Sequence, residues 1–302
     1  MYNPSLSPVL YVYVMFYIGV RILKIYSAVM LDIDGTLLDT RNQVSPNTKK
    51  LLNRLEKRGI PVVLSSARAP SEIEVIVRLV DLHSPIVCYG GSLILDEDRA
   101  IIEDTGIDIP TAVAFKAFAE REFPDVSISS YIYDTWVTDD ESNPYIRRLE
   151  VINQREPVEG SLESAVRMSS HVHKFLCSGE PQAVRKLQQT AAPQFPSLEF
   201  TSSGAVYLEV VSNRVSKRTA MEIIRQYYQI SMEQMVAIGD YFVDMEMIRY
   251  AGLGIAMGNA PEAVKQAAAR VTASNDEEGV YIALKNLRFQ PPERIPEVPE
   301  TV

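Results

Sequence analysis

Cysteine is scarce in this chain: only Cys88 and Cys177 occur, each within or beside an apolar segment. Such a pair reads as core thiols rather than a disulfide framework, and no Cys/His pattern with zinc spacing is present. The reducing cytosol is the compartment this usage implies. Positive charge is also short, with 30 Lys and Arg against 39 Asp and Glu and a net charge of −9. A sequence-independent nucleic-acid binder needs a basic face, so nucleic acid is not an expected partner. A phosphorylated small molecule stays compatible, because one metal ion and one Lys reverse the field inside a pocket. Neither a Gly-rich P-loop, a dinucleotide fingerprint nor a repeat of fixed period appears.

Long apolar runs are missing as well. Val9 to Val20 is uninterrupted for twelve residues, short of the ~18–20 that a bilayer-spanning helix needs. It has no basic n-region and no small-residue cleavage site, so it does not read as a secretory signal. Three readings of the apolar extension 1–23 remain open: an interfacial anchor, an element docked on the body, or a segment upstream of the folded unit. Membrane association is conceivable only through this run and is not favoured. Arg21 and Lys24 would tend to keep the following domain cytoplasmic.

What is present is an ordinary globular composition, 46% hydrophobic and 23% charged, with a length that suits one large domain or two. The chain is organised around Val29-Met-Leu-Asp-Ile-Asp-Gly-Thr-Leu37 and its neighbour Leu38. Ala28 to Leu31 reads as a buried strand of a parallel sheet. Asp32 and Asp34 then fall at its carboxyl end, the usual ligand edge of an open α/β sheet. Two carboxylates this close repel, an unfavourable arrangement unless a cation or shared proton compensates. Asp-Gly-Thr is also ordinary turn chemistry, so this stretch needs support from elsewhere.

Support comes in chain order. Ser45-Pro46 predicts a helix start, Leu51, Leu52 and Leu55 its apolar face, and Gly59 its end. Ile60 to Leu64 predicts a second buried strand, ending in Ser65-Ser66-Ala67-Arg68, where a hydroxyl and the next helix start suit a phosphate. Ile86 to Cys88 predicts a third strand, before Tyr89-Gly90-Gly91-Ser92, and Leu93 to Ile102 a hairpin. From about Asp108 strands dominate, with helices over Thr111 to Glu122 and Pro181 to Gln189, which suggests an inserted α+β unit. His171 and His173 share a strand face and admit a metal, a substrate contact or plain packing. Tyr207 to Val211 reads as the return to the body, followed by Val215-Ser-Lys217 at a helix start. Met235 to Ile238 is a last apolar strand, ending in Gly239-Asp240-Tyr-Phe-Val-Asp244. The spacing of Asp240 and Asp244 brings both carboxylates to one helix start, and oxygen ligands of this kind suit Mg²⁺.

Taken together, these four stretches resemble the motifs of the haloacid dehalogenase-like (HAD) phosphohydrolases, specifically the Cof-type, class IIB subgroup. Asp32-Ile-Asp34-Gly-Thr-Leu matches the first motif, Ser66 takes the place of the Thr in the second, Lys217 is retained, and Gly239-Asp240 to Asp244 matches the fourth. Departures are Ala67 and Arg214 and Arg218 for glycines, Tyr89 for Asn, and Val243 for Asn, the most serious. The resemblance spans roughly Lys24 to Leu287. It implies an α/β fold: a Rossmann-like parallel-sheet HAD core over 24–107 and 205–288, an inserted α+β (C2B-type) cap over 108–204, and a flexible tail over 289–302. It also implies a Mg²⁺-dependent phosphomonoester hydrolase of small phosphorylated metabolites, cytoplasmic, working through an aspartyl-phosphate. On this resemblance Asp32 is the nucleophile and Asp34 the acid–base. Ser66 and Lys217 hold the phosphoryl group, and Asp32, Asp34, Asp240 and Asp244 serve the metal. Two alternatives keep the same site: a low-turnover phosphate-ligand binding or regulatory protein, and a phosphomutase or phosphotransferase.

Overall fold

The computed structural model describes residues 24–293. Its larger sheet has eight strands, in the order Arg270–Val271, Leu253–Ala256, Met235–Gly239, Ala28–Asp32, Val62–Ser65, Ile86–Cys88, Leu93–Leu95 and Ile101–Asp104. The first six run parallel and the last two form an antiparallel edge hairpin. Ala28–Asp32 is central because its residues are apolar on both faces. Val29 and Leu31 pack into one core with Leu52, Leu64 and Ile73, while Ala28 and Met30 pack into another with Met221, Ile224 and Met247. Helices Pro46–Glu56 and Pro70–Val80 supply the first layer, and Lys217–Tyr227 and Met245–Tyr250 the second. Each fully buried aliphatic or Met side chain contributes about 1.5–3 kcal/mol, so the sheet is held from both sides.

The register sets the site. Asp32 is paired with Ser65, and Ile238 with Leu31, so Asp32, Ser66 and Asp240 all reach the carboxyl edge. This is the edge at which ligands bind open α/β sheets.

A second sheet has six strands, in the order Val158–Glu159, Thr135–Thr138, Ser127–Ile132, Lys174–Ser178, Tyr207–Ser212 and Leu198–Ser202. Helices Ile109–Glu122 and Pro181–Ala191 cover one face, where Phe115 meets Phe175, Phe195 and Phe200 at centroid distances of 5.3–5.8 Å. A helix over Pro144–Asn153, with no counterpart in the sequence reading, places Ile146 and Leu149 in the same core as Tyr131 and Trp136.

Two boundaries differ from expectation. Tyr207–Ser212 was expected to open the returning body at 205, yet it pairs with Lys174–Ser178 on one side and Leu198–Ser202 on the other, inside the cap sheet. Its pattern explains this: Leu208 and Val210 are buried while Tyr207, Glu209 and Val211 are half-buried, the alternation of a one-sided antiparallel strand rather than a doubly covered parallel one. The tail was placed from 289, but Phe289 is buried in a short strand, Arg288–Phe289, parallel to Ile25–Tyr26. The apolar run 9–20 and most of the tail lie outside the described residues, and no helix among those described is long and apolar enough to cross a membrane.

Candidate active site

Three carboxylates and one ammonium meet at the sheet edge. Asp32, Asp240 and Asp244 each place one oxygen within 4.8 Å of the others. Lys217, the first residue of helix Lys217–Tyr227, donates its Nζ to Asp32 Oδ1 and, at 2.7 Å, to Asp244 Oδ1. Ser216 N-caps that helix, accepting from Thr219 N, and so fixes where Lys217 projects. Asp32, Lys217 and Asp244 are all buried.

Burial pushes the Asp32 carboxyl well up, and the nearby Asp244 and Asp240 charges add to this against the pull of Lys217. Burial alone would lower the Lys217 ammonium, but Asp244 and Asp32 outweigh it and hold it above its ordinary value. Asp240 is likewise raised, mainly by burial. A single ammonium among three carboxylates leaves a net negative, desolvated pocket, which ionises fully only with further positive charge. The donor set is all oxygen, of the kind that hard divalent cations such as Mg²⁺ take. These residues therefore fit the ion that the resemblance implies.

The acids differ in how they are held. Asp244 Oδ2 accepts from the backbone N–H of Asp240 at 3.0 Å and of Tyr241 at 2.9 Å, while its Oδ1 takes Lys217, so both oxygens are engaged. Asp240 Oδ1 accepts from Thr36 Oγ1 at 2.8 Å, and Asn259 Nδ2 reaches Oδ2 at 3.4 Å and the Gly35 carbonyl at 2.8 Å. Gly35 has φ +80°, and a Cβ there would collide with the Asp240 carboxylate, so the turn after Asp34 requires glycine. Asp244 is therefore oriented by backbone N–H groups and Lys217, without an amide at position 243. Val243 itself is exposed beside Tyr241 and Phe242, and all three line the cavity.

Asp34 does not join the cluster through its side chain. It accepts a bidentate pair from Arg68, Nε at 2.9 Å and Nη2 at 2.6 Å, and is about half exposed. The only local sign of Arg68 is its position two residues after the strand-end serine pair Ser65-Ser66. Ser66 lines the same cavity, buried, with its Oγ accepting the Arg68 N–H at 3.2 Å.

Arg214 and Arg218, which replace glycines of the resembled motif, are both exposed to solvent and add no charge to the cavity lining. Arg214 donates to the Gly106 carbonyl at 3.4 Å, and Arg218 stacks over Tyr250 at 3.9 Å; neither lines the cavity. His171 and His173 also stay out of it. Both point their Nε2 at Asp104 Oδ1, at 2.5 and 2.9 Å, joining cap strands to the last strand of the core. Asp104 also accepts the Tyr133 hydroxyl at 2.9 Å, and the Tyr89 hydroxyl donates to the Tyr133 carbonyl at 2.7 Å.

The cavity above the acids measures about 1070 Å³ and is roofed by the cap sheet. Strand alternation delivers Tyr131, Lys174, Leu176, Glu209 and Val211 to that roof. The sequence reading assigned none of these, since nothing local to a strand says which face will meet a second domain.

Comparison with known proteins agrees with this architecture. The family description for haloacid dehalogenase-like hydrolases matches residues 29–284, and the chain belongs to that family. A Haemophilus influenzae protein carrying a provisional phosphatase name is 31% identical over 260 residues, covering 86% of this chain and 97% of its own. A haloacid dehalogenase-like hydrolase from Bacteroides thetaiotaomicron superposes with a TM-score of 0.77 at 26% identity, covering 86% of this chain and 98% of its own. A subclass IIB sugar phosphatase of the superfamily shares the fold, with a TM-score of 0.71 at 22% identity over 86% of this chain and 98% of its own. The chain thus has the HAD fold, with the cap architecture of that subclass IIB neighbour.

Proposed function

We propose that the protein is a magnesium-dependent phosphomonoester hydrolase, acting on small phosphorylated metabolites through an aspartyl-phosphate on Asp32. The observation that carries this reading is the buried Asp32 carboxylate, paired with Lys217 and clustered with Asp240 and Asp244 at the base of a roofed cavity. A carboxylate in that setting is an oriented nucleophile, and its repulsion from an incoming phosphate is offset by the adjacent ammonium.

In the first step an Asp32 oxygen attacks phosphorus, the bond from phosphorus to the ester oxygen breaks, and the leaving alkoxide takes a proton from Asp34. In the second, Asp34 removes a proton from water, the water oxygen attacks phosphorus, and the bond to Asp32 breaks, releasing phosphate and restoring both acids. Asp34 is half exposed and held by Arg68, so it acts on the leaving group only after releasing that pair. Ser66 and Lys217 hold the transferring group. Asp32, the Asp34 carbonyl, Asp240 and Asp244 would hold a magnesium ion, which when bound would supply positive charge to offset that of the phosphate. The cap excludes water and bears on the leaving group. Cys88 and Cys177 are free and buried, which supports a reducing compartment such as the cytosol.

The test is phosphate release from a panel of phosphorylated metabolites with magnesium. Release by the wild type, lost with chelator and lowered at least about a thousandfold by Asp32→Asn, is expected. Undiminished release by Asp32→Asn would overturn the assignment.

A further inference from the structure

The cavity roof carries information about the leaving group, and this inference rests on the hydrolase reading above. Lys174, on cap strand Lys174–Ser178, is the cation of that roof and is buried. Its Nζ donates to the Ala67 carbonyl at 2.7 Å, lies 3.6 Å from Glu209 Oε1, and sits over the Tyr131 and Tyr89 rings at 4.9 and 5.5 Å. One hydrogen bond, one carboxylate and two ring faces thus fix the position of this ammonium. The other two cations of the lining are engaged too, Arg68 by Asp34 and Lys217 by Asp32 and Asp244. Against these three cations the lining carries eight carboxylates, and Glu72, Glu199 and Glu246 are among those lying away from the acid cluster.

One phosphate with one divalent cation balances the acid end of the cavity. Nothing comparable balances the roof, where a second anionic group would meet Glu199 and Glu209 against Lys174 alone. Of the two roof glutamates, Glu199 is exposed, whereas Glu209 is partly buried beside Lys174. Its carboxylate has no hydrogen bond of its own among the described residues beyond the 3.6 Å approach of Lys174, and 19% of its side chain is accessible. A partly buried carboxylate held beside a fixed ammonium is an acceptor for a neutral hydroxyl donor.

We propose that Glu209, positioned by Lys174, is a specificity-determining residue that accepts a hydroxyl of an uncharged, hydroxyl-bearing leaving group, and that the roof rejects substrates with a second phosphate or carboxylate. The same charge balance weighs against a mutase, which must hold a bisphosphate in two orientations.

The test compares kcat/KM for glucose 6-phosphate, glucose 1,6-bisphosphate and p-nitrophenyl phosphate, in the wild type, Glu209→Gln and Lys174→Met. The wild type is expected to prefer the monophosphate sugar over the bisphosphate by about tenfold or more, as like-charge juxtaposition requires. Glu209→Gln leaves Lys174 without its carboxylate and shifts the ratio toward the bisphosphate by about tenfold, largely through KM. Lys174→Met shifts it the other way. Opposed shifts are not produced by a general loss of packing, which lowers both substrates together. Equal use of mono- and bisphosphate by the wild type, or shifts of the same sign in both variants, would overturn the inference while leaving p-nitrophenyl phosphate hydrolysis in place. Absence of release from all three substrates would instead overturn the hydrolase reading, and this inference with it.

Discussion

His173 joins the cap to the core with a protonation state that the fold dictates. Its side chain is fully buried. Nδ1 accepts the Tyr133 backbone N–H at 3.0 Å, and Nε2 faces Asp104 Oδ1 at 2.9 Å, so the neutral ring with its proton on Nε2 satisfies both contacts. A second proton would have to sit on Nδ1, against an N–H donor. Burial pushes the ring down from 6.5 to about 4, with Asp104 opposing and His171 adding to the fall. The sign follows from linkage: the folded value lies below the unfolded one, so the unfolded chain takes the proton first as pH falls. The stability is fully present above the unfolded value of 6.5 and is lost progressively down to about 4. At about 1.4 kcal/mol per pH unit, the loss across that window is ~3 kcal/mol. Urea unfolding of the wild type and of His173→Gln, at about pH 7 and about pH 4, reads it directly. The wild type is expected to lose ~3 kcal/mol more than the variant between the two conditions, since Gln carries no titratable proton. Equal losses would refute the reasoning. Hydrogen bonds from His171 and Tyr133 overcome burial to hold Asp104 below its ordinary value of 3.8, so its own contribution falls away only at more acid pH.

Other predictions concern the acid cluster. Lys217→Met leaves three carboxylates without their ammonium, and a loss of ~3–5 kcal/mol of stability is expected in metal-free buffer; an unchanged melting temperature would count against the triad. Gly35→Ala places a Cβ at φ +80° against Asp240, so at least ~1 kcal/mol of stability should be lost together with most of the magnesium affinity, read by calorimetric titration. Magnesium at a hundredfold its Kd should stabilise the wild type by about 2.7 kcal/mol, and Asp240→Asn should largely abolish that gain in thermal unfolding.

The core and its acids were legible because parallel strands are written as continuous apolar runs and each candidate acid follows one directly. Ala28–Asp32 and Met235–Gly239 are such runs, and their register alone sets Asp32 beside Asp240. The cap was harder for a physical reason. Tyr207–Ser212 alternates, and alternation does not say which sheet a strand joins, so it was read into the body although it pairs within the cap. Roof residues such as Lys174 and Glu209 acquire meaning only when two domains meet, and no local pattern marks that. Asn259 is similar: it reaches Asp240 from a loop 19 residues further on. The pairing of Arg68 with Asp34 spans 34 residues and two strand ends, and only the folded sheet brings them together. His171 and His173 do not share one strand, since the strand His171–Val172 ends before His173 and the next begins at Lys174; what unites them is Asp104, 67 and 69 residues away.

The central claim is that Asp32 carries the phosphoryl group during turnover, and acid quench with peptide mapping tests it most directly. Enzyme quenched during hydrolysis of its best substrate, then reduced with borohydride, should yield homoserine at position 32 and no such product without substrate. Turnover at full rate with no modification at Asp32, or with the phosphoryl group found on another residue, would contradict the account.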